Sequence, residues 1–301
     1  MLRQPRSDQC HEAHLSVFSC VRRARVGAAA NRVSAGKVIS RADKVLLGGA
    51  ATLLGSAAWF GPGFASLGVP ALALIALVTD GVARASSSVL YPTVTRGPKQ
   101  GNKIALTFDD GPDPEVTPAV LDVLRQHGVR STFFTIGRLL EQQPLLAQRI
   151  AAEGHELGNH SWQHSRWQNF FSARRHAADM ERSERAIAKI TGANTTPLFR
   201  PPVGLKSPEL ARAAHPRGIV MVAWSLHSRD TRTADPVRIA DRVLRRIMPG
   251  DIVLMHDGHD LPGRHRPACA AALALILTGL KAKGLLPVPV SELLGRVSDL
   301  R

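Results

Sequence analysis

The hydrophobic pattern divides this chain into unlike parts. From Val45 to Thr79 the run VLLGGAATLLGSAAWFGPGFASLGVPALALIALVT carries no charge. One helix of that length, at ~1.5 Å per residue, overshoots a ~30 Å hydrocarbon core, and Gly61-Pro62-Gly63 interrupts it. Two forms follow: one spanning helix with an interfacial extension, or a tight hairpin of short helices over 45–60 and 64–79. The first half is diluted by Gly48, Gly49, Thr52, Gly55 and Ser56, and each half falls short of the ~20 residues a crossing needs. The balance favours one effective crossing over a two-pass hairpin or a buried core pair.

A linker over 80–102 follows, marked by Ser86–Ser88, Pro92, Gly97 and Pro98. Beyond it, short apolar runs alternate with helical patterns. Strands are expected over 103–108, 131–136, 155–159, 197–200, 219–224, 251–256 and 286–290. Helices are expected over 117–127, with Thr117 as cap and Pro118 behind it, and over 138–153, 172–191, 207–215, 235–248 and 265–283. Such alternation predicts an α/β domain with a parallel sheet, open or closed into a barrel.

Charge adds orientation. The formal net charge is +15, and 44% apolar content supplies a full core and excludes a disordered class. Residues 1–44 hold Arg3, Arg6, Arg22, Arg23, Arg25, Arg32, Lys37, Arg41 and Lys44 against Asp8, Glu12 and Asp43. They read as a mobile basic tail that places the N-terminus in the cytoplasm. A cleaved signal peptide does not fit an apolar run that starts so late and lasts so long. Nucleic-acid binding does not fit a chain with one Tyr and no aromatics among its basic residues. Cys10, Cys20 and Cys269 make neither a disulfide framework nor a metal motif.

Candidate chemistry gathers at the predicted strand ends. Asp109 and Asp110 close the first strand side by side, though they repel each other and the turn at Gly111-Pro112 would suffice to stop it. Further polar clusters follow later strands: NHSWQH, RPPVG, SLHSRD and HDG. In a parallel α/β domain this rim is where sites form. His160 and His164, spaced i, i+4, would share one helical face and could hold one metal ion, with Asp110 as a third ligand. Two His and one Asp leave positions open for water and substrate and prefer Zn2+. Asp113 and Glu115 read as helix-start residues, and His155 and His176 as solvated or packing residues. His215, His259 and His265 carry no signal.

TFDDGP, HSWQH, RPPVG, WSLHSRD and IVLMHDG, in this order between residues 107 and 258, resemble the five motifs of the polysaccharide deacetylase family, the NodB-like carbohydrate esterases. The resemblance spans about residues 100–295. It implies a distorted (β/α) barrel of about seven strands and metal-dependent hydrolysis of an N-acetyl group from an amino sugar. It assigns Asp110, His160 and His164 to a divalent metal, Zn2+ by donor type, and Asp109 to the base that takes a proton from the attacking water. It makes His256 the acid for the departing amine, Asp230 the carboxylate that orients it, and Arg200 the partner of Asp109. The Val203 N–H would complete an oxyanion hole, with Leu254 and Trp224 walling a pocket for the acetyl methyl.

Three positions depart from the family pattern: Val203 stands where an aromatic is common, His227 where Asp is frequent and Thr231 where Trp is frequent. The chemistry is untouched, but an aromatic platform for sugar rings is weakened, which points to a shorter or lipid-linked glycan. The expected organisation is a basic tail (1–44), a membrane segment (45–79), a linker (80–102) and a deacetylase-like domain (103–295). The expected location is a membrane, of the bacterial inner-membrane kind, with the catalytic domain outside the cytoplasm. The expected partners are an N-acetylated glycan or glycolipid and the bilayer, with no obligate protein partner. The alternatives are a deformylase or deacylase of a lipid-linked amino sugar, and a non-catalytic membrane-anchored glycan-binding module.

Overall fold

Ser40 starts the first helix with a capping box: its hydroxyl accepts from the Asp43 N–H at 3.2 Å, and the Asp43 carboxylate accepts from the Ser40 N–H at 3.2 Å. The computed structural model describes residues 39–192, 197–261 and 263–295, so most of the expected basic tail lies outside the described residues. Residues 41–44 of that tail instead form the first turn of α1 (Arg41–Phe60). Gly61-Pro62-Gly63 ends it, and after a wide turn at Phe64–Gly68 the chain continues as α2 (Val69–Ala83). The two helices pack together, with Gly49 under the Leu74 side chain. Phe64–Ala83 is long and apolar enough to cross a membrane.

The remaining elements are β1 (Thr93–Val94), β2 (Lys103–Asp109), α3 (Thr117–Gln126), β3 (Thr132–Thr135), α4 (Gly137–Gln142), α5 (Pro144–Ala152), β4 (Glu156–Asn159), α6 (Ala173–Thr191), β5 (Leu198–Phe199), α7 (Pro208–Ala214), β6 (Val220–Val222), β7 (Leu226–His227), α8 (Pro236–Leu244), β8 (Ile252–His256), α9 (Ala268–Ala282), β9 (Leu286–Pro287) and α10 (Val290–Leu294). The strands run parallel in the order β1-β6-β5-β4-β3-β2-β8-β7, with β9 on the first residues of β2. Helices cover the sheet, which is why β2 is buried from Ile104 to Asp109 and reads as a near-continuous apolar run, broken at Thr107, rather than an alternation. Phe108 stacks on Phe133 at 4.9 Å within this core. An antiparallel bridge of Arg96 to Asp251 and the Gly97 N–H donating to Gly250 C=O at 2.8 Å draw the open edges together. The result is the expected distorted barrel, incompletely closed, with nine strands among the described residues where about seven were expected, β1 and β7 being the additions.

Several local expectations change. The 138–153 helix is two, because Pro144 cannot continue α4 and instead starts α5. Thr117 is the first residue of α3, not its cap. Val116 is the N-cap and has no side-chain cap; the Asp113 carboxylate braces the turn just before it, accepting from Glu115 N–H at 2.8 Å and Val116 N–H at 2.9 Å. The 80–102 stretch is packed: it contains the end of α2, buried Leu90 and Tyr91, and β1 paired with β6.

Candidate active site

The carboxyl ends of β2, β4, β5 and β8 meet around one cavity of about 410 Å³. Its walls include Asp109 and Asp110 after β2, His160 and His164 after β4, and Val203 after β5. Trp224 before β7 and Leu254 and His256 on β8 complete the wall. Every predicted site residue lines this cavity except Arg200 and Asp230, which stand behind it.

Asp109 is 3% exposed and Arg200 is fully buried beneath it. The Arg200 guanidinium donates to Asp109 Oδ1 at 2.7 Å, Thr107 Oγ1 at 2.8 Å, Val222 C=O at 3.3 Å and Ala223 C=O at 3.0 Å. It also lies over the Phe134 ring at 4.0 Å. A buried charge with that many acceptors is satisfied, and it fixes one oxygen of Asp109. The other, Oδ2, lies 3.8 Å from His160 Nε2.

Asp110, His160 and His164 bring one ligand atom each within 4.8 Å of one another. His164 Nε2 is 3.2 Å and His160 Nε2 is 3.5 Å from Asp110 Oδ1. Of the outer nitrogens, His160 Nδ1 is hydrogen-bonded to the Arg200 C=O at 2.7 Å, while His164 Nδ1 makes no hydrogen bond and faces Asp260 Oδ2 at 3.4 Å. A carbonyl accepts only, so His160 Nδ1 carries a proton, which leaves Nε2 as the nitrogen available to a metal ion. Burial would raise the Asp110 carboxyl, but His160, His164 and His256 hold it well below the usual carboxylate range. It is therefore ionised. Two imidazole nitrogens and a carboxylate oxygen facing one point fit a divalent cation such as zinc.

The i, i+4 histidines do not share a helix. Residues 160–167 form a loop in which Ser161 and His164 have positive φ of 67° and 53°. The Ser161 N–H donates to Asn159 Oδ1 at 2.8 Å, and the His164 N–H donates to Ser161 Oγ at 2.9 Å. Asp110 (φ 71°) and Val203 (φ 57°) are likewise left-handed. Each such non-glycine residue costs ~1–3 kcal/mol, and four of them around one cavity mark where the fold is strained to place side chains.

His256 is gripped twice by Asp230: its N–H donates to Oδ2 at 2.7 Å, and its Nδ1 lies 2.9 Å from Oδ1. Burial pulls the imidazole pKa down, but the Asp230 charge and hydrogen bond, with Asp110 and Asp109 beyond, set it above the ordinary histidine value. Asp230 is correspondingly lowered against its own burial, chiefly by His256. His227 behaves oppositely. Burial and the nearby His256 bring it down to about 4, so a neutral imidazole lines the wall 5.9 Å from the His256 ring. Leu254 is buried, whereas Val203 is 61% exposed at the mouth.

Some contributors escaped the sequence reading. Asp260 faces His164 Nδ1, and Arg266 lies 3.9 Å from Asp110 Oδ2; both line the cavity, as does His259. The second carboxylate of the HDGHD run was the available signal for Asp260. Asp257 turns away to accept from Thr117 Oγ1 at 2.6 Å, and full burial pushes it up to about 7. His155 and His176 are packing residues, each brought down to about 4 by burial. His265 pairs with Asp113 at 2.8 Å.

Comparison with known proteins places this geometry. The profile of the polysaccharide deacetylase family matches residues 96–222. A peptidoglycan-N-acetylglucosamine deacetylase of Bacillus cereus is 40% identical over 199 residues, covering 65% of this chain and 90% of that protein. A chitooligosaccharide deacetylase of a Bradyrhizobium species is 37% identical over 198 residues, covering 63% of this chain and 90% of that protein. The crystal structure of the Bc1960 peptidoglycan N-acetylglucosamine deacetylase, bound to a naphthalenyl N-hydroxybenzamide, superposes with a TM-score of 0.64 at 31% identity, over 68% of this chain and 93% of that one. With these matches extending over nearly the whole length of such relatives, the chain belongs to the polysaccharide deacetylase family.

Proposed function

We propose that this protein is a metal-dependent hydrolase that removes N-acetyl groups from an amino sugar in a glycan or glycolipid. The observation that carries the reading is the joint presence, on one cavity, of an Arg200-held carboxylate, an Asp230-held imidazole and a two-His, one-Asp ligand cluster. The relatives named peptidoglycan and chitooligosaccharide deacetylases supply the substrate class.

Asp110, His160 and His164 would hold the ion, which when bound supplies Lewis acidity toward water and the amide carbonyl. Asp109, with Oδ1 fixed by Arg200, has Oδ2 free to take a proton from the attacking water. His256 is kept protonated by Asp230 and gives a proton to the departing amine, which leaves poorly without it. The Val203 N–H, in a turn closed by the Gly204 N–H donating to Pro201 C=O at 2.9 Å, is the oxyanion donor. Leu254 and Trp224 take the acetyl methyl. A retired, glycan-binding relative would have no physical need for both the base and the acid.

The test is acetate release from a chitooligosaccharide, with bound metal measured on the same samples. His160→Ala and His164→Ala should each lose the ion. Asp109→Asn should keep it and lose turnover by ~10²–10⁴-fold. Wild-type acetate release by Asp109→Asn would remove Asp109 from the mechanism.

A further inference from the structure

The helix pair α1 and α2 leaves a large apolar surface with no partner among the described residues. Only 11% of the apolar window in Phe64–Ala83 is buried, and Leu54, Trp59, Phe60, Phe64, Leu72 and Ile75 are exposed. A patch of that extent on a soluble surface needs a cover. The charges flanking it all sit at one end of the pair: Arg41, Asp43 and Lys44 open α1, and Asp80 and Arg84 close α2. Toward the other end there are none.

The uncharged end is built for a place without water. Ser66 is 5% exposed, and its hydroxyl donates to the Gly61 C=O at 2.5 Å while accepting from the Gly63 N–H at 3.0 Å. The Leu67 N–H closes on the Gly63 C=O at 2.9 Å, Pro62 has no N–H to satisfy, and within α1 the Thr52 hydroxyl donates to the Gly48 C=O at 2.9 Å. Internal satisfaction of a turn backbone is what hydrocarbon demands and water does not. Trp59, Phe60 and Phe64 stand exposed near this tip, large apolar rings that hydrocarbon accepts and water does not. From Val45 to Phe60 the helix rises roughly 24 Å at ~1.5 Å per residue, so the tip reaches most of the way through a ~30 Å core.

Both charged ends are fastened to the barrel. Asp43 pairs with Arg212 of α7 at 2.6 Å, and Ala42 is buried against the barrel. At the end of α2, the Lys206 ammonium donates to the carbonyls of Arg84 at 3.1 Å, Ala85 at 2.7 Å and Ser87 at 2.7 Å. Lys206 follows Val203, Gly204 and Leu205 of the cavity wall, and a Cβ on Gly204 would come within 2.8 Å of both the Ala85 and the Trp224 side chains.

We propose that α1 and α2 enter a lipid bilayer as a hairpin, so that residues before and after it stay on one face and the catalytic cavity is held at that face. A single crossing, which the sequence alone favours, would have to pull one charged end off the barrel. This inference stands on the hairpin and its fastenings, independently of the reaction assigned to the cavity.

The test uses the full chain in membranes, with Cys10 and Cys20 replaced by Ser and one new cysteine at a time, Ile39→Cys or Gln100→Cys, reacted with an impermeant maleimide. Both positions should react alike in spheroplasts and both reverse in inverted vesicles; opposite answers would overturn the hairpin. In phosphatidylethanolamine–phosphatidylglycerol vesicles, brominated acyl chains should quench a tryptophan signal that Trp59→Phe removes. Equal quenching in the two proteins, or release of the chain by alkaline carbonate as a soluble oligomer covering the patch with a second copy, would overturn insertion.

Discussion

At the residue scale the cavity is a set of side chains each held by a second one, and the Asp230–His256 pair gives a prediction with a definite sign. The folded protein binds the His256 proton more tightly than the unfolded chain does. That contribution to stability is full below the ordinary histidine pKa of ~6.5 and is lost as pH rises through the raised value. The Asp230 contribution, from a lowered carboxyl, is present above ~3.9 and is lost as pH falls through its folded value. Asp230→Asn removes the charge that holds the His256 proton. The alkaline limb of kcat/KM should therefore move to lower pH, and an unmoved limb would assign the acid to another group. Asp109, Asp110, Asp230 and His256 were legible as polar clusters after predicted strands, and the family motifs, not the pattern, supplied the roles proposed for them. The backbone of the two histidines was not legible. An i, i+4 spacing fits a helix, but Asn159 and Ser161 side chains replace the backbone partners there and turn the chain into a left-handed loop. Nor could spacing reveal that Asp260 comes round from beyond β8 to face His164.

At the element scale, strands within apolar runs were readable, the two-residue β5 and β9 among them, whereas β1 and β7 were not. β1 and β7 have two residues each, too few for any periodicity, and exist because β6 and β8 offer them an edge. The loop between β5 and α7 shows what element geometry contributes to the site. It places Val203 at the mouth and packs Gly204, at φ 72°, between Ala85 and Trp224. Gly204→Ala combines an unfavourable φ with a contact that must be relieved, so it should cost ~1–3 kcal/mol. A denaturant titration measures this, and kcat should fall with it because the turn carries the Val203 N–H. A stability change below ~0.5 kcal/mol would show that the loop relaxes freely and that its geometry does not matter to the cavity.

At the scale of the whole molecule, the helix pair and the barrel are separable in energy although joined in space. Two of the three hydrophobic clusters, the one around Phe108 and Phe133 and the one around Ala105 and Val288, contain nothing from residues 39–83. The third takes only Ala42 and Val82 from them. The Asp43–Arg212 pair has side chains 26% and 36% exposed, which limits it to ~0–1 kcal/mol. Losing the two apolar contacts adds the equivalent of about one or two buried methylenes, at ~0.8 kcal/mol each. A chain beginning at Arg84 keeps all three carbonyls that accept from Lys206, and it sheds the exposed face that would aggregate in water. It should therefore fold as a monomer without detergent, with a cooperative melt ~2–10 °C below the full chain in detergent, since each kcal/mol shifts a domain of this size by ~2–4 °C. It should also release acetate from a soluble chitooligosaccharide at close to the full-length rate, because nothing removed touches the cavity side chains. Loss of the cooperative melt would mean instead that the helix pair belongs to the barrel's core and is not a separable anchor.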